Sequence, residues 1–381
     1  MKVAMIGHKR IPSREGGVEV VVEQLSTMLV QKGHIVDVYN RKGKNVQDEN
    51  VDINYEKIKE YKGLNIITIP TINKKGIDAL LYSFFATVRA IFGKYDVIHY
   101  HAEGPAVMLW LPHILGIKTV VTIHGLDWKS AKWGTFATKY LKLGEKVAAK
   151  YADEVIVLSK GIQKYFKEKY NRDTNFIPNG IIKPKVKEVD IINKKWGLEK
   201  NNYILFLGRI VPGKGLEYLI EAFKRINTDK KLVIAGGSSH TNNYLKQIRE
   251  ITKDDNRIIM TGFVQGQELE ELYSNCYIYC LPSEAEGMSM SLLEAMSYGC
   301  RCLVSNIEEN TQVIGIYGKT FESRNVNDLQ KKIEELINDK QEKLDSKIIS
   351  EYVLNKFSLE NTIKNTEKVL KSKKNKSLEE I

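Results

Sequence analysis

The stretch KVAMIGHKRIPSREGGVEVVVEQLSTMLVQKGHIVDVY, Lys2 to Tyr39, sets the architecture. Its first six residues form an apolar, β-rich run ending in glycine. Glu19 to His34 then places apolar residues at helical spacing, and Ile35 to Tyr39 reads as a strand again. That is one βαβ unit. The alternation continues through "NIITIP", the helical "GIDALLYSFFATVRAIFGKY", "DVIHYH", "TVVTIHG", a basic helix around Thr135 to Tyr151, and "EVIVLS". Strands that are apolar throughout and separated by helices predict a parallel sheet covered on both faces. After "IPNGI" (Ile177–Ile181) a polar stretch to about Ile192 reads as a linker, and the pattern restarts with "YILFLG", "LEYLIEAFKRI", "KLVIAGG", "RIIMTGF" and "YIYCLP". The expected fold class is α/β, with two doubly wound halves facing each other across a cleft. The expected boundaries are 1–183, 184–357 and a C-terminal helix, 358–381, that packs back toward the N-terminal domain and ends in a frayed "KSKKNKSLEEI". Ligands in such folds sit outside the carboxyl ends of the strands.

Composition narrows the function classes. A chain of 381 residues suits two domains, and 43% hydrophobic with 28% charged residues is the balance of a globular enzyme. No stretch approaches 18 consecutive apolar residues, and "MKVAMIGHKR" carries charge where a secretory signal would be apolar, which predicts a cytoplasmic protein. Cys276, Cys280, Cys300 and Cys302 make no disulfide framework, and Cys-x-Cys is not a zinc spacing, so they read as small buried apolar residues. The net charge is +11, and residues 1–183, with 28 Lys and Arg against 18 Asp and Glu, carry +10 of it.

The stretch "SEAEGMSMSLLEAMSYG", Ser283 to Gly299, sets Glu286 and Glu294 eight positions apart. Within one helix they would stand roughly 12 Å and 80° apart, too far to share a glycosidic bond as hydrolase partners at about 5 to 9.5 Å. A strand ending at Leu281, a loop through Glu286 and a helix from near Ser289 would instead turn the amides of Met288, Ser289 and Met290 toward an anion. Gly287 lets that backbone come close to a ligand. A diphosphate there would have a carboxylate on each side, which suits a nucleotide sugar. The bland alternative is a capping box, Ser291 to Glu294. A second signal favours the ligand: "LFLGRIVPGKGLEYLIEAF" puts Arg209 just past a strand and Lys214 in a Gly-rich loop, so two cations converge on one strand end. No cluster of Asp, Glu or His suggests a metal cage.

These residues carry a resemblance. Gly-Arg-x2-Pro-x-Lys-Gly at Gly208 to Gly215 and E-x7-E at Glu286 to Glu294 resemble the retaining GT-B glycosyltransferases, the group that includes phosphatidylinositol mannosyltransferase and sucrose synthase. "GGVE" (Gly16–Glu19), "THG" (Thr122–Gly125), "IPNG", "VIAGG" (Val233–Gly237) and "TGFV" (Thr261–Val264) extend the likeness over nearly the whole chain, and "HGLDWKSAKW" (His124–Trp133) is similar to capsule and exopolysaccharide enzymes. The resemblance implies two Rossmann-like domains, an acceptor-binding N-terminal one and a donor-binding C-terminal one. It also implies metal-independent transfer of a hexosyl or deoxyhexosyl group from a UDP-, dTDP- or GDP-linked donor, with no other cofactor. Arg209 and Lys214 would hold the diphosphate with the amides of Met288 to Met290 helping, with Gly208 and Gly287 also on the donor side. Glu294 would take the ribose hydroxyls, Glu286 the transferred sugar, and Phe263 and Val264 the base. Gly16 and Gly17 would admit phosphate or acceptor, and His124 would approach the donor sugar. The chain departs from many relatives at Ser289, where they carry glycine.

His99, His101 and His124 end strands, a position that often serves only structural hydrogen bonding; His124 reads as functional, with His101 and Asp127 as further acceptor-side candidates. Trp110 and Trp133 read as core. Lys139, Lys142, Lys146 and Lys150 recur at helical spacing behind Lys129 and Lys132, a stripe that is either a solvated face or a contact with an anionic inner leaflet, where a saccharide or lipid-linked acceptor would be reached. Three other classes compete. A nucleic-acid binder lacks interleaved aromatic positions or a recognition helix, and a dehydrogenase lacks G-x-G-x-x-G after the first strand. A sugar-nucleotide epimerase of the same fold is the serious rival, against which E-x7-E argues.

Overall fold

The protein is described from a computed structural model covering residues 1–42, 58–71, 77–129, 134–237, 242–339 and 345–374. Lys132 and Trp133, and the tail beyond Lys374, therefore lie outside the described residues. The chain forms two compact units, Met1–Gly180 with Leu359–Ile381, and Ile181–Ser358.

Unit 1 runs β1 (Lys2–Ile6), α1 (Gly17–Gln31), β2 (Ile35–Arg41), β3 (Glu60–Tyr61), β4 (Leu64–Ile69), α2 (Ile77–Ile91), β5 (Val97–His101), two short helices α3 (Glu103–Ala106) and α4 (Trp110–Ile114), β6 (Thr119–Ile123), α5 (Thr135–Tyr151), β7 (Glu154–Val157), α6 (Lys160–Tyr170) and β8 (Asn175–Phe176). The sheet order is β3-β4-β2-β1-β5-β6-β7-β8, parallel except for the β3–β4 edge. Alternate strand residues feed two cores: Ile98, Tyr100, Val121 and Ile123 pack with α2, α5 and α6, while Val3, Val97 and Val120 pack with α1 and the last helix. Period-2 side-chain direction makes the apolar strands of the sequence cover both faces at once.

Unit 2 runs α7 (Ile191–Trp196), β9 (Tyr203–Leu207), α8 (Leu216–Lys224), β10 (Lys231–Ala235), α9 (Asn242–Thr252), β11 (Ile258–Gly262), α10 (Gly266–Asn275), β12 (Ile278–Leu281), α11 (Met290–Ser297), β13 (Cys302–Ser305), α12 (Glu308–Ile314), β14 (Lys319–Phe321), α13 (Val326–Asn338) and α14 (Ser346–Lys356). Its all-parallel sheet has the order β11-β10-β9-β12-β13-β14. Cys280, Cys300 and Cys302 are buried in this unit as free thiols. α15 (Leu359–Lys371) returns to unit 1, where Leu359, Ile363, Val369 and Leu370 join the α1-side core.

One core assignment fails. Trp110, expected inside, is 39% exposed, because α4 turns it outward in the company of exposed Ile114 and Leu115. No helix of the described residues is long and apolar enough to cross a membrane.

Candidate functional site

Each sheet has one place where its strand order reverses, and there adjacent strand ends open a crevice suited to ligands. In unit 2 that place lies between β9 and β12. The loop after β9 and the loop after β12 are stitched together: the Glu284 amide donates to the Gly213 carbonyl at 2.9 Å, and Lys214 Nζ donates to Glu286 Oε1 at 2.5 Å. Gly215 makes this approach feasible. Its φ is +68°, and a Cβ there would stand 2.1 Å from the Pro282 carbonyl oxygen, so any side chain would force the loops apart. The Lys214 and Glu286 side chains are 20% and 9% exposed. Arg209, half-buried in the same β9 loop as Lys214, has no ion-pair or hydrogen-bond partner for its side chain among the described residues.

The β12 loop leads into α11 through Gly287, Met288 and Ser289. Ser289 caps the helix, its Oγ accepting from the Leu292 amide at 3.3 Å. The capping box Ser291–Glu294 is therefore not the cap: Ser289 is the last extended residue, and the first amides needing an acceptor lie two positions earlier than that reading supposed. Glu294 Oε2 instead accepts from the Tyr273 hydroxyl at 3.0 Å. Burial, with the Glu294 charge beside it, keeps that hydroxyl protonated far above its ordinary range. Ser291 Oγ takes the Tyr279 hydroxyl at 2.8 Å. Gly208, Arg209, Lys214 and residues 286–290 thus gather at one strand-order reversal, with Glu294 one turn along α11. Phe263 and Val264 do not join them directly: they follow β11, which β10 separates from β9.

In unit 1 the reversal falls between β1 and β5. Gly7 plays the part of Gly215 here, since a Cβ would stand 2.1 Å from the His101 carbonyl oxygen at a φ of +126°. Four histidines gather behind it. His101 Nδ1 and His124 Nε2 are 3.0 Å apart, the His99 and His101 rings lie 4.2 Å apart, and His99 Nε2 meets Thr122 Oγ1 at 2.8 Å. His8 Nε2 meets Asn40 Oδ1 at 3.1 Å. Burial pushes His8 and His124 down to about 4 and His99 to about 3, so all three are neutral imidazoles at pH 7. Glu19 of α1 folds back toward Gly16 and accepts from the Lys9 amide at 3.0 Å. Burial alone would raise its carboxyl, but that hydrogen bond and the Lys9 charge outweigh it and hold it below the usual range. Asp127, in the turn after β6, donates its amide to the buried Glu103 Oε2 at 3.1 Å. His8, which sequence reasoning passed over, belongs to this cluster; its available signal was its place two residues past the end of β1.

The comparisons with known proteins follow the same division. Residues 15–182 match the family Glycosyltransferase Family 4, and residues 188–352 match Glycosyl transferases group 1. Each half of the chain thus matches a glycosyltransferase family model. It is 27% identical over 354 residues to an uncharacterized glycosyltransferase of Methanocaldococcus jannaschii, covering 82% of this chain and 83% of that one. It is 28% identical over 236 residues to the UDP-Gal:alpha-D-GlcNAc-diphosphoundecaprenol alpha-1,3-galactosyltransferase of Escherichia coli, covering 58% and 60%. Its fold superimposes on that of HepE of Anabaena, solved with UDP and glucose, at a TM-score of 0.78 and 16% identity, covering 97% of this chain and 99% of that one.

Proposed function

We propose that the protein transfers a hexosyl or deoxyhexosyl group, with retention and without a metal ion, from a nucleoside-diphosphate donor to a saccharide or lipid-linked saccharide in bacterial capsule or exopolysaccharide synthesis. One observation carries this reading. Lys214 and Glu286 meet at 2.5 Å where the β9 and β12 loops touch, just ahead of the α11 N-terminus and in the same β9 loop as Arg209, whose side chain has no partner among the described residues. A diphosphate would draw Lys214 off Glu286, pair with it and Arg209, and take the amides of residues 287–290. Glu286, released, would accept from the transferred sugar's hydroxyls, and Glu294 from the ribose. Phe263 and Val264 would meet the base.

Retention without a carboxylate nucleophile requires attack from the face the diphosphate leaves. The acceptor oxygen bonds to the anomeric carbon as the bond to the β-phosphate oxygen breaks, and that departing oxygen takes the acceptor's proton. Arg209 and Lys214 stabilise the negative charge that develops. On the unit 1 side, His124 would contact the donor sugar as a neutral hydrogen-bonding group, while Gly16, Gly17, His101 and Asp127 would serve the acceptor or a phosphate. The name of the E. coli relative, a UDP-galactose enzyme acting on a diphosphoundecaprenol, supports a nucleotide-sugar donor and a lipid-linked acceptor of this class.

Contact with an anionic membrane at the cytoplasmic face fits such an acceptor. Lys139, Lys142, Lys146 and Lys150 are all exposed on α5, with Phe136 (79%) and Leu143 (48%) exposed among them.

A thermal-shift panel of UDP-, dTDP- and GDP-linked hexoses tests the donor assignment. One donor should raise Tm in the native chain and fail to do so after Arg209→Ala. A shift that survives Arg209→Ala and Glu294→Ala would place the nucleotide elsewhere. Incubation with that donor alone separates transfer from epimerisation: a transferase slowly releases nucleoside diphosphate, whereas an epimerase yields an isomer. EDTA should leave the release rate unchanged.

A further inference from the structure

The turn that follows "THG" is held by a device that the donor chemistry does not use. Glu145 of α5 is fully buried, yet it is a carboxylate with four donors. Trp128 Nε1 reaches it at 2.6 Å, the Tyr165 hydroxyl at 2.8 Å, the Tyr170 hydroxyl at 2.5 Å and Lys169 Nζ at 2.9 Å. Burial alone would raise its carboxyl, and these donors outweigh that and hold it below the usual range. The neighbouring Gly144 packs α5 hard against α3: a Cβ on it would fall 1.8 Å from the Glu103 carbonyl oxygen. Glu103, also buried, takes the Asp127 amide. Two buried carboxylates on adjoining helices therefore grip consecutive residues of one turn, Glu103 by the backbone of residue 127 and Glu145 by the indole of residue 128. Lys142 Nζ, 4.5 Å from the Trp128 ring centroid, covers the indole as well. A turn that needed only stability would be fixed at lower cost by apolar packing, because a buried charge must be fully hydrogen-bonded to break even.

We infer that Glu145 is a positioning residue for sugar transfer: through Trp128 it fixes the turn at residues 125–129, and with it the settings of His124 and Asp127. This rests on the reading of those two residues as part of the reacting site. A small misplacement of a substrate-facing group is enough to slow transfer markedly.

Trp128→Phe keeps an aromatic ring but removes the pyrrole part of the indole with its N–H, leaving Glu145 three donors. Tyr170→Phe removes a different donor and leaves the turn's own bond intact. In hydrogen exchange on the ligand-free full chain, amides 125–129 should exchange about tenfold faster in Trp128→Phe and at the native rate in Tyr170→Phe. With the sugar nucleotide selected by the thermal-shift panel, Trp128→Phe should lower kcat for nucleoside-diphosphate release about tenfold with donor KM within twofold, and Tyr170→Phe should change neither. Unchanged exchange in Trp128→Phe, or equal kinetic losses in the two variants, would overturn the inference. His124→Ala serves as the reference for the reading beneath it. If that variant keeps the native rate, the site assignment falls; if it is slow while Trp128→Phe is native, only the positioning role falls.

Discussion

Where its strand order reverses, the unit 1 sheet carries four histidines, three of them in ring contact with one another, whereas the unit 2 sheet carries Lys214, Glu286 and Arg209. The scaffolds beneath are alike. Both are doubly wound, and both use a glycine in the loop after the first strand, Gly7 or Gly215, to bring that loop against the carbonyl oxygen at the end of the neighbouring strand, to 2.1 Å of where a Cβ would be. The difference is electrical. Unit 1 presents neutral imidazoles beside one carboxylate, Glu19, as suits hydroxyls; unit 2 presents the cations Lys214 and Arg209, as suits a diphosphate. Fold alone does not distinguish the two crevices, so function must be argued from the side chains lining each.

The hardest test of that contrast removes the unit 2 charge. Lys214→Ala should lower kcat about a hundred- to a thousandfold, the range for losing a donor to a developing oxyanion, while donor affinity changes much less. Steady-state kinetics with the selected donor would separate the two. Near-native turnover would mean that Lys214 is only a loop residue paired with Glu286.

Acid should strike the other unit. His8 and His124 have folded values of about 4 and His99 about 3, against 6.5 unfolded. Between those values the unfolded chain binds more protons. Their contribution to stability is therefore complete above pH 6.5 and is lost as pH falls toward 4, by up to about 1.4 kcal/mol per pH unit per histidine. No described residue of unit 2 is a histidine. Calorimetry from pH 7 to pH 5 should move the unit 1 transition down by several degrees while the unit 2 transition holds. Parallel shifts would show that the buried imidazoles do not set the difference.

Glu286→Gln sharpens the comparison by acting in opposite directions on binding and rate. Freed of its partner, Lys214 should hold a nucleoside diphosphate about fivefold more tightly, while transfer slows because the sugar loses its carboxylate. Isothermal titration with the matching nucleoside diphosphate reads the first and turnover the second. Weaker binding would show that Glu286 organises Lys214 rather than competing for it.

How far the sequence carried these points depended on whether the signal was local. The two doubly wound sheets were legible because each strand is apolar along its whole length, and α5, expected around Thr135 to Tyr151, lies there. Arg209, Lys214 and Glu286 could be grouped because each lies within a few residues of a strand end, and the strands were readable. What was missed is non-local. β3 and β8 are two residues each, too short for any period. Trp110 was expected in the core, since a lone aromatic says nothing about which side of a short helix it occupies. The partners of Glu145 come from residues 128, 165, 169 and 170, and no spacing rule joins them.

The smallest expected effect concerns Ser289, where the family resemblance led to an expectation of glycine. A serine here offers an Oγ to the Leu292 amide at 3.3 Å and meets Ser291 Oγ at 3.1 Å, so it closes the helix end that a glycine would leave to water or ligand. Ser289→Ala should cost unit 2 about 1 kcal/mol through the lost cap, seen as a drop of a few degrees in its calorimetric transition alone. Ser289→Gly should cost only a few tenths, since glycine is itself a tolerated cap. If the α11 amides receive the diphosphate, bound donor would take over the orphaned Leu292 side of the turn, and the stability gap between Ser289→Ala and the native chain should narrow at saturating donor. A gap that stays constant would separate the cap from the ligand, leaving the diphosphate to Arg209 and Lys214 and weakening the contrast of the unit 2 crevice with the histidine-lined one.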